Sequence, residues 1–163
     1  MEDALWLILF ILPAYFANSS PVIFGGGAPM DFGRKAWDGK RCLGDGKTWR
    51  GFVAGVGIGT LAGLSLSNIF GDPRFAILGF ALSFGALSGD ALGSFLKRRL
   101  GMKRGSPMFA MDQLPFLFVA LAFGSMVYLP SLEGLAFLTL LTYLLHVSTN
   151  FLANRVGLKK VPW

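Results

Sequence analysis

Five apolar runs, at about 4–24, 51–70, 75–96, 113–129 and 132–154, constrain this 163-residue chain more than any other feature. A helix needs about 20 apolar residues to cross a hydrocarbon core, and these runs recur to the end of the chain, so a cleaved leader does not account for them. Hydrophobic residues make up 53% of the sequence and charged residues 15%, and the mean hydropathy is +0.58. That is too little polar surface for a water-soluble domain of this length. The expected fold is all-α: one polytopic membrane domain over 1–163, about five transmembrane helices, and two polar loops at 25–50 and 97–112.

Charge sets the orientation. The first loop holds Arg34, Lys35, Lys40, Arg41, Lys47 and Arg50. The second holds Lys97, Arg98, Arg99, Lys103 and Arg104, and the tail holds Arg155, Lys159 and Lys160. Arg74 alone among the basic residues falls on the other side, with Glu2, Asp3, Asp72 and Glu133. Positive loops stay in the cytosol, so the N-terminus is expected outside and the C-terminus inside. Within the membrane, Gly51, Gly55, Gly59 and Gly63 fall four apart, as do Ala81, Gly85, Gly89 and Gly93. Such stripes let helix backbones approach closely in lipid. The second and third spans are therefore expected to touch, with a homodimer as the other use of these faces.

The first loop runs Asp38-Gly39-Lys40-Arg41-Cys42-Leu43-Gly44-Asp45-Gly46-Lys47-Thr48-Trp49-Arg50-Gly51. Glycines let backbone N–H groups reach phosphate oxygens, and Lys and Arg add charge-assisted hydrogen bonds. Gly46-Lys47-Thr48 matches the end of a Walker A loop, but Arg41 stands where that motif needs glycine and no strand precedes it. Asp90 lies inside an apolar span, with Ser94 and Lys97 following at i+4 and i+7 on the same face. An intramembrane carboxylate is costly and marks either a buried ion pair or a functional pocket. Asp112, at the start of the fourth span, is either a helix N-cap or a second metal carboxylate facing Asp90; Mg²⁺ is often held by one or two carboxylates plus substrate phosphates. Cys42 is the sole cysteine, which excludes intrachain disulfides and cysteine-based metal sites, and the sole histidine, His146, suits a helix-packing hydrogen bond.

These segments resemble the CDP-archaeol synthase family, archaeal membrane cytidylyltransferases related to bacterial CDP-diacylglycerol synthases. The likeness covers nearly the whole chain: Ala17-Asn18-Ser19-Ser20-Pro21-Val22, the glycine-rich loop from Asp38 to Gly51, and Ser94 to Lys97-Arg98, which matches a Ser-x-x-Lys-Arg signature. Asp112-Gln113 stands where the bacterial enzymes carry Asp-Arg, and their Pro-Gly-His-Gly-Gly stretch is missing, leaving Met108 to Met111 without a counterpart. The resemblance implies attack of an unsaturated archaetidic acid (a geranylgeranylated glycerol 1-phosphate) on the α-phosphate of CTP, with Mg²⁺, on the cytosolic face of the cell membrane. It implies catalytic roles for Asp90, Asp112 and Lys97, with metal held by Asp90 and Asp112 and Asp45 as a third candidate. Gly44, Asp45, Gly46, Lys47, Thr48, Arg50, Lys40 and Arg41 would hold CTP, and Arg98 and Lys103 the lipid phosphate or pyrophosphate. A CDP-alcohol phosphotransferase would need Asp-Gly-x-x-Ala-Arg, which Asp38-Gly39-Lys40-Arg41-Cys42-Leu43 does not supply. A transporter or scaffold is the non-enzymatic alternative.

Overall fold

The computed structural model describes residues 3–102, 106 and 114–157. The candidates Lys103 and Asp112, and the 108–111 stretch, lie outside them. Among the described residues six helices follow in order: α1 Ala4–Ser19, α2 Pro21–Phe24, α3 Trp49–Phe70, α4 Arg74–Arg99, α5 Leu114–Gly124 and α6 Leu132–Arg155. Among the described residues there is no strand, only the isolated antiparallel bridges Pro29–Thr48 and Lys35–Arg41. The fold is the all-helical one the sequence predicts. Taken as one segment, Ala4–Phe24 is long and apolar enough to cross a membrane, as are α3, α4 and α6.

The details depart from expectation at three places. The first span breaks between α1 and α2, because Pro21 has no N–H to continue the helical ladder. The fourth run, read as 113–129, is helical over 114–124, and residues 125–130 turn to carry Tyr128 onto Trp6, ring centroids 4.2 Å apart. Gly124 packs too closely for a side chain: a Cβ there would lie 2.6 Å from Leu82. The glycine stripes also divide their work. Gly55, Gly59 and Gly63 of α3 lie against Ala17 and Pro13 of α1 and against Ser83, Phe75 and Gly79 of α4, so α3 and α4 do touch. The α4 glycines Gly85 and Gly89 face α5 instead, where a Cβ would meet the Val119 and Pro115 carbonyls. Both stripes are thus used within the chain.

Helix α4 is the axis of the bundle, packing on α1, α3 and α5. The core is built where they meet, from Phe10, Ile11, Ala14, Leu78, Leu82, Ala86, Leu117 and Ala120, all almost completely buried. Helix α6 is more loosely held. It touches only α1 and α5 among the described elements, through Leu138 and a 2.8 Å hydrogen bond between the Tyr15 and Thr142 hydroxyls. At 26 residues, α4 spans about 39 Å, longer than a hydrocarbon core of about 30 Å. Its last turn, Lys97-Arg98-Arg99, therefore projects from the apolar layer toward the first loop.

The glycine packing gives an internal comparison two residues apart. A Cβ at Gly59 would sit 2.6 Å from the Pro13 carbonyl, whereas one at Gly57 meets nothing within 4 Å. Gly59→Ala should destabilise the detergent-solubilised protein by about 1–3 kcal/mol. Gly57→Ala should be neutral or stabilising by up to about 1 kcal/mol. Equal thermal unfolding midpoints for the two variants would contradict the packing described.

Candidate active site

The polar end of the molecule is organised by a buried carboxylate. Asp31, at the start of the first loop, has a side chain 2% exposed. It accepts hydrogen bonds from the backbone N–H groups of Gly33 (3.1 Å), Leu43 (2.9 Å) and Gly44 (2.9 Å), and from Nε and Nη2 of Arg41 at 3.2 and 2.7 Å. The Arg41 guanidinium first, and then these N–H groups, hold the Asp31 carboxyl well below the usual carboxylate range. Asp31 in turn raises the pKa of Arg41. Gly44 has φ of +89°, a left-handed conformation that glycine adopts without strain.

Around this hub the loop doubles back. Residues 34–42 form a hairpin closed by Ala36 N–H to Lys40 C=O (2.9 Å) and Cys42 N–H to Arg34 C=O (3.0 Å). The returning strand of chain pairs with the outgoing one through Met30 N–H to Lys47 C=O (2.7 Å) and Trp49 N–H to Ala28 C=O (3.2 Å). This pairing places Thr48 as the N-cap of α3, its hydroxyl accepting from Gly51 N–H at 3.2 Å. One residue earlier, the Lys47 ammonium crosses to the Asp90 carboxylate on α4. The two meet in a cleft lined by Pro21, Met30, Gly46, Lys47, Thr48, Phe52, Leu87, Asp90 and Ala91. Both charged groups stay partly exposed, at 26% and 30%.

Of the residues singled out by sequence, Gly46, Lys47, Thr48 and Asp90 are therefore brought together. Gly44 is turned to Asp31. Asp45 is exposed and pairs with Arg41 at 2.8 Å, and Arg50 is exposed on the first turn of α3. Lys40 donates to the Arg99 carbonyl at 3.1 Å. Lys97 donates to the Ser106 carbonyl at 2.6 Å, and Arg98 is half-buried on the same last turn of α4. His146 is half-buried on α6. Sequence reasoning missed the part played by Asp31 and by Arg99, whose guanidinium pairs with Asp38 at 2.8 Å. A lone acid between Met30 and Phe32, amid glycines and cations, was the available signal for Asp31; for Arg99 nothing distinguished it from its basic neighbours.

Asp90 offers one carboxylate of the kind that holds a hard divalent cation. Among the described residues no three His, Cys, Asp or Glu side chains cluster as a self-contained metal site.

Comparison with known proteins locates this architecture. A family model described as CarS-like, CDP-archaeol synthase, matches residues 2–163. The CDP-archaeol synthase of Thermococcus gammatolerans is 50% identical over all of this chain and 98% of its own length. That of Methanopyrus kandleri is 48% identical, also over all of this chain and 98% of its own. A solved structure described as an intramembrane enzyme for archaeal membrane lipids biosynthesis superposes with a TM-score of 0.86 at 40% identity, covering 91% of this chain and 94% of the other.

The Asp31 hub has a consequence independent of any ligand. A carboxylate held below its ordinary value contributes stability that is present above its unfolded pKa of about 3.9 and lost as pH falls toward the folded one. Asp31→Asn should lower stability by about 1–3 kcal/mol, because the amide sets N–H groups against donors. The deficit should be nearly constant from pH 5 to pH 8. A deficit that vanishes within that range, followed by thermal unfolding at several pH values, would contradict the geometry.

Proposed function

Since the chain belongs to the CDP-archaeol synthase family, we propose that the cleft between its first loop and α4 is where CTP is joined to a phosphorylated ether lipid. As a family member it is a multi-pass membrane enzyme of archaeal lipid biosynthesis that makes CDP-archaeol. The finer proposal is that CTP and unsaturated archaetidic acid give CDP-archaeol and pyrophosphate. The observation that supports it most is the Lys47–Asp90 pair across the cleft.

A phosphate monoester has a second pKa of about 6, so the lipid phosphate is largely dianionic at neutral pH. It needs little help from a base. One of its oxygens attacks the α-phosphorus of CTP, the new P–O bond forms, and the bond to the bridging oxygen of pyrophosphate breaks. The obstacle is repulsion between two anions, so positioning and charge neutralisation supply the catalysis.

Lys47, beside Gly46 and Thr48, is placed to take up the triphosphate. In doing so it would leave the Asp90 carboxylate free, and Asp90, with Asp112 as its proposed partner, would hold Mg²⁺. When bound, Mg²⁺ would neutralise charge on the phosphate oxygens. Arg50 lies on the first turn of the same helix. Lys97, Arg98 and Lys103 would bind the lipid phosphate or the leaving pyrophosphate. Lys40 and Arg41 are better suited to holding the loop than to touching CTP, since Arg99, Asp31 and Asp45 already engage them. Asp45, paired with Arg41, is likewise a weaker metal candidate than Asp90.

Apart from Arg74 at the start of α4, the described cations Arg34, Lys35, Lys40, Arg41, Lys47, Arg50, Lys97, Arg98, Arg99 and Arg155 lie on the loop, the first turn of α3 and the C-terminal ends of α4 and α6. The positive-inside rule supports a cytosolic cleft, reached by CTP from water and by the lipid from the inner leaflet. The second half of α6, with Leu144, Val147, Phe151 and Leu152 exposed, offers the isoprenoid chains an apolar flank.

Labelled CTP incubated with the purified protein, Mg²⁺ and the phosphorylated ether lipid should yield CDP-lipid and pyrophosphate. Asp90→Asn should reduce kcat by about 10²–10³-fold, the scale of losing one electrostatic stabiliser. Lys47→Ala should raise KM for CTP and lower kcat. Wild-type turnover in Asp90→Asn would overturn the metal assignment, and unchanged constants in Lys47→Ala would overturn the triphosphate cradle.

A further inference from the structure

The basic run Lys97-Arg98-Arg99 ends α4, and its third member differs from an ordinary surface cation. The Arg99 side chain is 14% exposed and turned onto the first loop. One guanidinium nitrogen pairs with Asp38 at 2.8 Å; the other donates to the Lys40 carbonyl at 3.2 Å and to the Arg41 carbonyl. The guanidinium plane lies over Trp37 (5.4 Å) and Phe95 (4.8 Å), whose own rings meet edge-on at 6.0 Å. The contact is reciprocal, since Lys40 Nζ donates to the Arg99 carbonyl at the helix C-terminus, where a cation is favoured. About sixty residues of sequence separate the two sides of this clasp.

Its mechanical consequence follows the chain. Arg99 fixes the backbone of Arg41; the Arg41 side chain holds Asp31; Asp31 gathers the N–H groups of Leu43 and Gly44; three residues on, Lys47 crosses to Asp90. The loop is thus fastened to α4 twice, at Arg99 and at Asp90, nine residues or about 13.5 Å apart on one rigid helix. We propose that Arg99 is a positioning residue: it clasps the 34–42 hairpin to α4 and keeps the loop in its nucleotide-binding shape without touching a substrate. The proposal rests on the reading that this loop binds CTP. Loosening the clasp lowers the competent fraction of the protein, and apparent affinity falls by that fraction. Saturating nucleotide then restores the competent state, so KM changes and kcat does not. A residue that contacts the reacting phosphates would lose kcat as well.

Cys42, the sole cysteine, lies in this hairpin and is partly exposed, which makes it a built-in reporter. The test is the rate of maleimide labelling of Cys42 in the purified full chain, with KM and kcat measured in parallel. Arg99→Ala should label about tenfold faster and show a KM for CTP about tenfold higher, the factor that one charge-assisted hydrogen bond is worth, with kcat at saturating CTP within about twofold. Arg99→Lys should fall between. Trp37→Ala and Asp38→Asn release the clasp from the loop side and should also speed labelling, so they carry the test if Arg99→Ala does not fold. Labelling unchanged in these variants, or a kcat loss at unchanged KM, overturns the proposal. In the wild type CTP should slow labelling; if it does not while Arg99→Ala still labels faster, the clasp stands and the CTP reading of the loop fails.

Discussion

A carboxylate removed from water must be fully hydrogen-bonded or it destabilises the fold. Asp31 meets that requirement with five donors, and the rest of the polar end depends on it. Three are backbone N–H groups from both limbs of one loop and two belong to one guanidinium. A glycine-rich loop of more than twenty residues loses much conformational entropy on ordering, and the Asp31 hydrogen bonds help to offset that loss. Asp31 replaces that freedom with one closed shape, in which Gly46, Lys47 and Thr48 arrive together at the end of α3.

The membrane bundle supplies the rigid counterpart. Small residues on two sides of α4 let it pack at backbone distance against α3 on one side and α5 on the other, and the α3 glycines do the same against α1. An apolar solvent gives no hydrophobic drive to hold helices together, so this close packing carries the association. The helix held most firmly is also the one that carries Asp90 within the bundle and Arg99 at its projecting end. Electrostatic catalysis needs charges that do not reorganise as the reaction proceeds. On the proposed mechanism Asp90, on a well-packed helix and facing a loop fastened to the same helix, would satisfy that need.

How much of this was legible depended on the range of the interaction. Hydropathy alone located the apolar segments, since span length is a local property, but it missed the end of α5 at Gly124, because the residues that follow it are as apolar as those before. The glycine spacing announced close helix packing, but spacing cannot say which neighbour each stripe meets, so the turn of Gly85 and Gly89 toward α5 was hidden. Lys47 and Asp90 were each identifiable by chemistry, as a cation in a glycine-rich loop and a carboxylate in an apolar span. Their pairing, forty-three residues apart, was a matter of tertiary structure. Lys40 and Arg41 could be marked as cations in a glycine-rich loop, but composition does not show the contacts they make with Arg99, Asp31 and Asp45.

The central claim is that the Asp31-organised loop and the α4 carboxylate form one nucleotide site. A structure of the protein with CTP and Mg²⁺ tests it most directly. The expected result is triphosphate in the cleft beside Gly46, Lys47 and Thr48, with Lys47 turned from Asp90 to a phosphate and Asp90 on the metal. Nucleotide bound away from this cleft, with the Lys47–Asp90 pair intact, would contradict the account.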